Sequence, residues 1–240
     1  MMEKINVLLI AGQSNALGIS HFAQLPAEKQ RNYDVGIYFN TNIENENNGV
    51  WQMVRPGLGQ KSDRFGLELP AAHVLSARGE KWVILKYASD GTALYDRWNK
   101  ARSAEDYNAL IGTIRTAVQD LRAKGFEVVF RGLLWQQGCS DSIKAHTAAE
   151  YEQNLRAFVE NLREETQKDL PVVIGEVNPF NERMPHRATV IVAQKKVAAE
   201  LPRVAFVPTA DIAEVFDGWH YIPVYEWELG RRLTEAVLKL

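Results

Sequence analysis

Three side chains in this sequence have the types that acyl transfer requires: a serine, a histidine and an aspartate. A serine hydroxyl is a poor nucleophile until a positioned imidazole accepts its proton, and the imidazole needs a carboxylate to hold its tautomer. Asp217 and His220 lie three residues apart, so they can meet across one turn and leave the second ring nitrogen to face Ser14. The alternatives are an ordinary loop histidine or half of a metal pair, although no His or Cys cluster supplies further metal ligands.

The serine follows a short apolar run in a setting similar to a nucleophile elbow. Gly12-Gln13-Ser14 ends that run, and such a turn exposes the hydroxyl and leaves backbone N–H groups free. The full Gly-x-Ser-x-Gly pattern is not completed, because Ala16 holds the fifth position. The competing interpretation is that Ser14 or Asn15 only caps the helix that follows.

Acyl transfer also needs hydrogen-bond donors for the negative charge that develops on the carbonyl oxygen. The backbone N–H of Ser14 is one candidate, and Gly91 follows another apolar run and has no Cβ to keep its own N–H at a distance. Gln137 offers a side-chain amide at the end of a third run. Taken singly, Gly91 could be a turn glycine and Gln137 a structural hydrogen-bonding residue.

Four further residues are candidates for substrate contact. Trp98 and Trp219 have flat aromatic faces that pack well on sugar rings, although core packing is the commoner fate of a tryptophan. Gln13 and Asn15 flank the nucleophile, where they either touch the ligand or orient the elbow. The sequence leaves both alternatives open.

These candidates follow apolar, β-branched segments that alternate with helical patterns. Near-continuous apolar runs are typical of parallel strands buried on both faces, and the alternation predicts a doubly wound α/β sheet. In such sheets, ligands bind beyond the carboxyl ends of the strands. The predicted strands are Asn6–Ile10, Val35–Phe39, Trp82–Tyr87, Val128–Trp135, Val172–Val177 and Val204–Val207.

Helical patterns and one irregular segment complete the sequence. An apolar stripe from Tyr107 to Leu121 ends before Gly125, and Pro223 opens a last helix. Thr147 and Glu150 have the spacing of a capping box ahead of another helix. The segment 40–62 is rich in Asn and Gly, which indicates either a binding loop or a variable surface excursion.

Composition limits the function classes. The 240 residues are 46% hydrophobic and 24% charged, with net charge -2, which favours a single globular domain over residues 1–240 without a nucleic-acid or membrane partner. One cysteine allows no internal disulfide, and no cofactor or metal site is indicated. No segment has the features of a signal peptide or a membrane span, so we expect a cytoplasmic protein.

Four short blocks, in order, resemble the SGNH-hydrolase superfamily, and specifically its sialate O-acetylesterase-like branch with carbohydrate esterase family six. The family has G-Q-S-N, K-x-A-x-x-G-T-x-L, W-x-Q-G-x-x-D and D-G-x-H. This chain has them at Gly12–Asn15, Lys86–Leu94, Trp135–Asp141 and Asp217–His220.

The resemblance implies a flavodoxin-like three-layer αβα sandwich with a mainly parallel sheet of about five strands. It implies hydrolysis of O-acetyl esters on a carbohydrate or other small molecule, with Ser14 as nucleophile and His220 as general base and then acid. Asp217 would orient the imidazole. The Ser14 and Gly91 amides and the Gln137 side chain would form the oxyanion hole.

The third block departs from the common W-H-Q-G-E pattern, because Gln136 replaces the usual histidine and Cys139 the usual glutamate. A buried structural role for Cys139 is favoured over a nucleophilic thiol. Two alternatives to a carbohydrate acetylesterase stay open. One is a lipid or thioester acyl hydrolase of the same fold, and the other is a weakly active carbohydrate-binding relative.

Overall fold

The computed structural model describes residues 2–240, in which an α/β core is built from nine strands and seven α-helices. The strands are β1 (Glu3–Gly12), β2 (Ser20–His21), β3 (Gly36–Thr41), β4 (Val50–Met53), β5 (Arg64–Phe65), β6 (Trp82–Ala88), β7 (Phe126–Gln136), β8 (Val172–Gly175) and β9 (Val204–Val207). The helices are α1 (Ser14–Leu17), α2 (Glu68–Ser76), α3 (Glu105–Ala123), α4 (Ala145–Ala149), α5 (Tyr151–Glu165), α6 (Arg187–Glu200) and α7 (Pro223–Val237).

The main sheet has the order β4-β3-β6-β1-β7-β8-β9, and all neighbours are parallel except β4, which runs antiparallel to β3. The sheet thus has seven strands instead of the expected five or so. The edge strand β4 lies inside the segment 40–62 that the sequence analysis left irregular. Its residues are only partly buried or exposed, so they lack the apolar run by which the buried strands are recognised.

Helices cover both faces of the sheet and complete a three-layer αβα sandwich. Side chains alternate along β1, so that Val7 and Leu9 join one apolar cluster while Leu8 and Ile10 join the other. Helices α3, α5 and α6 pack in the first cluster, and α1, α2 and α7 in the second. None of the helices in the described part of the chain is long and apolar enough to cross a membrane.

The helix predictions hold where a helix has one apolar face. α3 and α7 are present as predicted, but the capping box is wrong: Thr147 lies within α4, where its Oγ1 donates to the carbonyl oxygens of Asp141 (2.7 Å) and Lys144 (2.9 Å). Neither α2 nor α6 is predicted by an apolar stripe in the sequence. Most residues of α2 are buried, so it lacks the single apolar stripe that marks an amphipathic helix.

The direction in which successive strands are added to the sheet changes beside β1. From β1 the chain builds β3 and β6 on one side and then β7 to β9 on the other. Gly12 at the end of β1 lies in register with Ala88 of β6 and with Gln136 of β7. The loops after these three strands therefore leave the sheet side by side, at the place where open α/β sheets bind ligands.

A buried ion pair lies beneath this edge. Lys86 of β6 is fully buried, and its ammonium group donates to Glu68 Oε2 (2.5 Å) and to the carbonyl oxygen of Leu17 (2.7 Å). Burial lowers the pKa of Lys86, while Glu68 acts in the opposite direction. Burial and the neighbouring Glu68 raise the pKa of Glu226 well above its usual value. The pair fixes the end of α1 against β6.

We expect Lys86→Met to lower the free energy of unfolding by about 3–5 kcal/mol, because it leaves the buried Glu68 without its counter-charge. Lys81→Met is the matched control, since the Lys81–Glu3 pair (2.7 Å) is more than half exposed and contributes less than about 1 kcal/mol. Urea unfolding of both variants measures the difference. Equal losses would contradict a structural role for the buried pair.

Candidate active site

Ser14 follows β1 after a turn that requires glycine at position 12. Gly12 has φ +144°, and a Cβ at this position would overlap the carbonyl oxygen of Gln136. The turn is held by hydrogen bonds from Gln13 N to Gln136 O and from Ser89 N to Gly12 O, both 3.0 Å. Ser14 is the first residue of the short α1. The elbow expected from the sequence thus sits between the ends of β6 and β7.

The turn before α7 holds Asp217 and His220 together. Asp217 Oδ2 lies 2.6 Å from Nδ1 of His220, and Oδ1 accepts the backbone N–H groups of Trp219 and His220 at 2.9 Å each. Because the Asp217 carboxylate can only accept a hydrogen bond, the ring proton of the neutral imidazole lies on Nδ1, and Nε2 is free to accept a proton. Burial raises the pKa of Asp217, but the three hydrogen bonds outweigh it, and the pKa falls below its usual value.

One pocket of about 280 Å³ brings the nucleophile candidate and the imidazole together. Ser14 and His220 both line it, and so do Gly91 and Trp219. The remaining lining residues are Gln13, Asp90, Cys139, Ser140 and Ile143. The loops after β1, β6 and β7 and the turn before α7 all contribute, as the resemblance implied.

The two residues beside Ser14 hold the elbow in place. Gln13 Oε1 accepts the backbone N–H groups of Gly138 (3.1 Å) and Ser140 (3.4 Å), which ties the elbow to the loop after β7. Asn15 Nδ2 donates to the carbonyl oxygen of Trp219 (3.4 Å), which ties it to the histidine turn. Both side chains are buried, and only Gln13 reaches the pocket. Of the two open interpretations, their contacts favour orientation of the elbow.

The three expected oxyanion donors are not equivalent. Within residues 2–240, the backbone N–H groups of Ser14 and Gly91 have no acceptor. Gly91 has φ +66° and open space where a Cβ would stand. Gln137, in contrast, is fully buried, and its amide donates to Thr92 O (3.0 Å) and Asp141 Oδ2 (2.6 Å). Both of its N–H groups are thus in use, and it lies outside the pocket lining.

Asp141 explains the placement of Gln137. Its buried carboxylate also accepts the backbone N–H groups of Leu94 (2.8 Å) and Tyr95 (2.9 Å), so it joins the loop after β6 to the loop after β7. Burial raises the pKa of Asp141 to about 6, although the hydrogen bonds from Gln137 and the two backbone groups oppose the rise. The last residue of the W-x-Q-G-x-x-D block therefore holds two loops of the site together.

The two tryptophans differ in their placement. Trp98 is fully buried, its Nε1 donates to Thr92 Oγ1 (2.9 Å), and its ring packs edge-on against Trp135 (5.1 Å). The prediction that Trp98 contacts substrate is therefore wrong, because apolar burial and an internal partner for its N–H keep it in the core. Trp219 is partly exposed and lines the pocket.

The two unusual residues of the third block are both buried. Gln136 packs against Gly175 and donates to the carbonyl oxygen of Glu176 (3.4 Å), away from the pocket. Cys139 lines the pocket, but burial and the nearby Asp141 raise the pKa of its thiol to about 12. A thiol in this state is a weak nucleophile at neutral pH, which agrees with a structural role.

Several pocket residues escaped the sequence analysis. Asp90 lies directly before Gly91 in the second block, so its position after a strand was a usable signal. Its neighbours Asn42 and Gln60 come from the segment 40–62: Asn42 Oδ1 accepts Asp90 N (3.1 Å), and Gln60 Nε2 donates to Asp90 Oδ2 (3.1 Å). No local pattern marks either of these two residues. Their contact with the site favours the binding-loop interpretation of the segment.

A model of the carbohydrate esterases described as sialic acid-specific acetylesterases matches residues 4–239. The chain belongs to this family. The protein is therefore a carboxylic ester hydrolase, and O-acetyl ester hydrolysis is the chemistry of its family. None of the curated proteins compared with the chain gives a significant match.

Solved structures with the same fold include three that align over nearly the whole chain. A protein from Arabidopsis thaliana has a TM-score of 0.78 and 19% identity, covering 98% of both chains. NanS has a TM-score of 0.75 and 16% identity, covering 99% of this chain and 98% of its own. A carbohydrate acetylesterase from Xanthomonas citri has a TM-score of 0.71 and 20% identity, covering 96% of this chain and 55% of its own. At these identities the similarity concerns the fold.

We expect Cys139→Ser to keep aryl acetate hydrolysis within about threefold of wild type, because the thiol packs in the protein and stays protonated. The wild-type enzyme should also resist iodoacetamide at neutral pH. Steady-state kinetics and mass spectrometry of the treated protein provide the measurement. Rapid alkylation of Cys139 with parallel loss of activity would show that the thiol is reactive.

Proposed function

We propose that this protein is a serine esterase that removes O-acetyl groups from a carbohydrate, with residues 1–240 acting as a single catalytic domain. The observation that carries the proposal is the joint lining of one pocket by Ser14, His220 and Gly91, with the imidazole oriented by Asp217. Membership of a carbohydrate esterase family supports the same chemistry.

The first half-reaction transfers the acetyl group to the enzyme. Nε2 of His220 takes the proton of the Ser14 hydroxyl while Oγ attacks the acetyl carbon, and the carbonyl electrons move onto oxygen. The backbone N–H groups of Ser14 and Gly91 stabilise this oxyanion, since neither is used within the described chain. Collapse of the intermediate breaks the bond to the sugar oxygen, which receives the proton from His220.

The second half-reaction releases acetate. Water attacks the acetyl-serine carbon while His220 accepts a proton from it, and collapse of the second oxyanion returns that proton to Ser14. Asp217 keeps the imidazole in the required tautomer and stabilises its protonated form. Gln137 would join the oxyanion hole only by giving up its bond to Thr92 or to Asp141. Two backbone donors therefore form the core of the proposed hole.

Of the alternatives, a lipid or thioester hydrolase needs an apolar channel for a long acyl chain. The pocket lining combines the side chains of Cys139, Ile143 and Trp219 with polar groups from four loops. A binding protein without turnover would not need the Asp217–His220 pair next to Ser14. Membership of a family of acetylesterases favours the acetyl group over a long acyl chain.

We expect Ser14→Ala and His220→Ala each to lower kcat for phenyl acetate by at least about 10³-fold, because both groups act in the same step. Asp217→Asn should cause a smaller loss through the imidazole tautomer. His146→Ala, from outside the pocket, is the control and should stay near wild type. Unchanged hydrolysis in either Ser14→Ala or His220→Ala would refute the mechanism.

Acyl-chain length separates the proposed acetylesterase from a lipid hydrolase. We expect kcat/KM for an aryl acetate to exceed that for the aryl octanoate by at least about tenfold, because acetyl ester hydrolysis is the chemistry of the family to which the chain belongs. The comparison uses the same aryl leaving group at substrate concentrations below micelle formation. A preference for octanoate would support the lipid or thioester alternative.

A further inference from the structure

The charge of the proposed pocket comes from one carboxylate. Within the described residues 2–240, Asp90 is the one acidic residue that lines the pocket, and Asp217, which is paired with His220, lies outside the lining. No Lys or Arg of these residues lines it. Arg183 donates to Asp217 O (3.1 Å) and lies 5.7 Å from the centre of the Trp219 ring, outside the pocket lining.

The carboxylate of Asp90 is held in place from the segment 40–62. Gln60 Nε2 donates to Oδ2 (3.1 Å), and Asn42 Oδ1 accepts the backbone N–H of Asp90 (3.1 Å). Gln60 is itself anchored, because its backbone N–H donates to the carbonyl oxygen of Gly18 (2.8 Å), just after α1. The second oxygen of Asp90, Oδ1, has no partner among the described residues. Asp90 thus presents an oriented carboxylate with one acceptor oxygen unused.

We infer that Asp90 is a specificity-determining residue of the proposed esterase: it accepts a hydrogen bond from a hydroxyl of the substrate and disfavours acetyl esters that carry a carboxylate. In this respect the protein would depart from the sialic acid substrate by which its family is described, because a sialic acid carries a carboxylate. The inference rests on the proposed function, since it assigns the same pocket a substrate preference. A hydrogen bond to a carboxylate is stronger than one to a neutral acceptor, so a neutral polyol gains affinity. An anionic sugar meets like-charge repulsion instead, with no cation in the pocket lining to offset it.

The location of Asp90 makes the effect specific to the alcohol part of the ester. Asp90 directly precedes Gly91, the proposed oxyanion donor, and faces the same pocket as Trp219. The acetyl group is the same in every substrate, so a comparison of neutral and anionic sugars isolates the contribution of Asp90.

The test compares two acetyl esters that differ at C6, where a carboxylate replaces the CH2OH group: a mono-O-acetylated methyl glucoside and the methyl glucuronoside acetylated at the same position. We expect wild type to prefer the neutral ester in kcat/KM by at least about tenfold. Asp90→Asn should shrink this ratio at least about fivefold. The quantity compared is the ratio of the kcat/KM values for the two esters. Absolute rates are not compared, because removing the charge next to Gly91 changes them as well.

Glu46→Gln is the matched control, since it removes one negative charge from the exposed part of the same segment outside the pocket and should leave the ratio unchanged. A second measurement needs no variant: raising NaCl from about 0.02 to about 0.5 M should reduce the wild-type preference, because salt screens the repulsion. A salt-insensitive ratio, an unchanged ratio in Asp90→Asn, or a wild-type preference for the glucuronoside would each overturn the inference.

Failure of this inference differs from failure of the proposed function. If Ser14→Ala abolishes hydrolysis of both sugar esters but Asp90→Asn leaves the ratio of their kcat/KM values unchanged, only the specificity assignment is wrong. If both esters are hydrolysed by Ser14→Ala, the catalytic mechanism itself is wrong.

Discussion

The close approach of β1 to the backbone of β7 is the constraint on which the site depends. Gly12 ends β1 in a conformation and a space that exclude a side chain, because the carbonyl oxygen of Gln136 occupies the position of a Cβ. Bonds from Gln13 and Ser89 then close the turn against both neighbouring strands. With β6 and β7 on either side, the elbow can project Ser14 only toward the loops after these strands. Every other group of the site is placed relative to this turn.

Carboxylates organise the loops around the elbow. Asp217 uses one oxygen for two backbone N–H groups and the other for the imidazole, so it shapes the turn as well as holding the tautomer. Asp141 similarly binds the loops after β6 and β7 to each other. Beneath them, Lys86 and Glu68 fix the end of α1. The motif residues of the family therefore position loops as well as supplying catalytic groups, because one carboxylate can accept hydrogen bonds from several backbone N–H groups.

The departures from the family pattern fall on the side of the pocket formed by β7. Gln136 turns away from the pocket, and Cys139 contributes a small buried surface with a protonated thiol. Neither takes part in the contacts between Ser14, His220 and the turn before α7. Within the described residues, Asp90 on the loop after β6 is the one acidic residue that lines the pocket. This combination is the basis for the substrate preference inferred above.

The sequence by itself determined the parallel α/β class, the six buried strands, and the spacing that lets Asp217 reach His220, because these follow from apolar runs and from local turn geometry. Only the tertiary structure decided which distant groups meet. It put Trp98 into the core, engaged Gln137 with Asp141, and brought Gln60 to Asp90, since each outcome depends on which partner across the fold satisfies a polar group. The edge strand β4 was missed for the related reason that a half-exposed strand carries no continuous apolar signal.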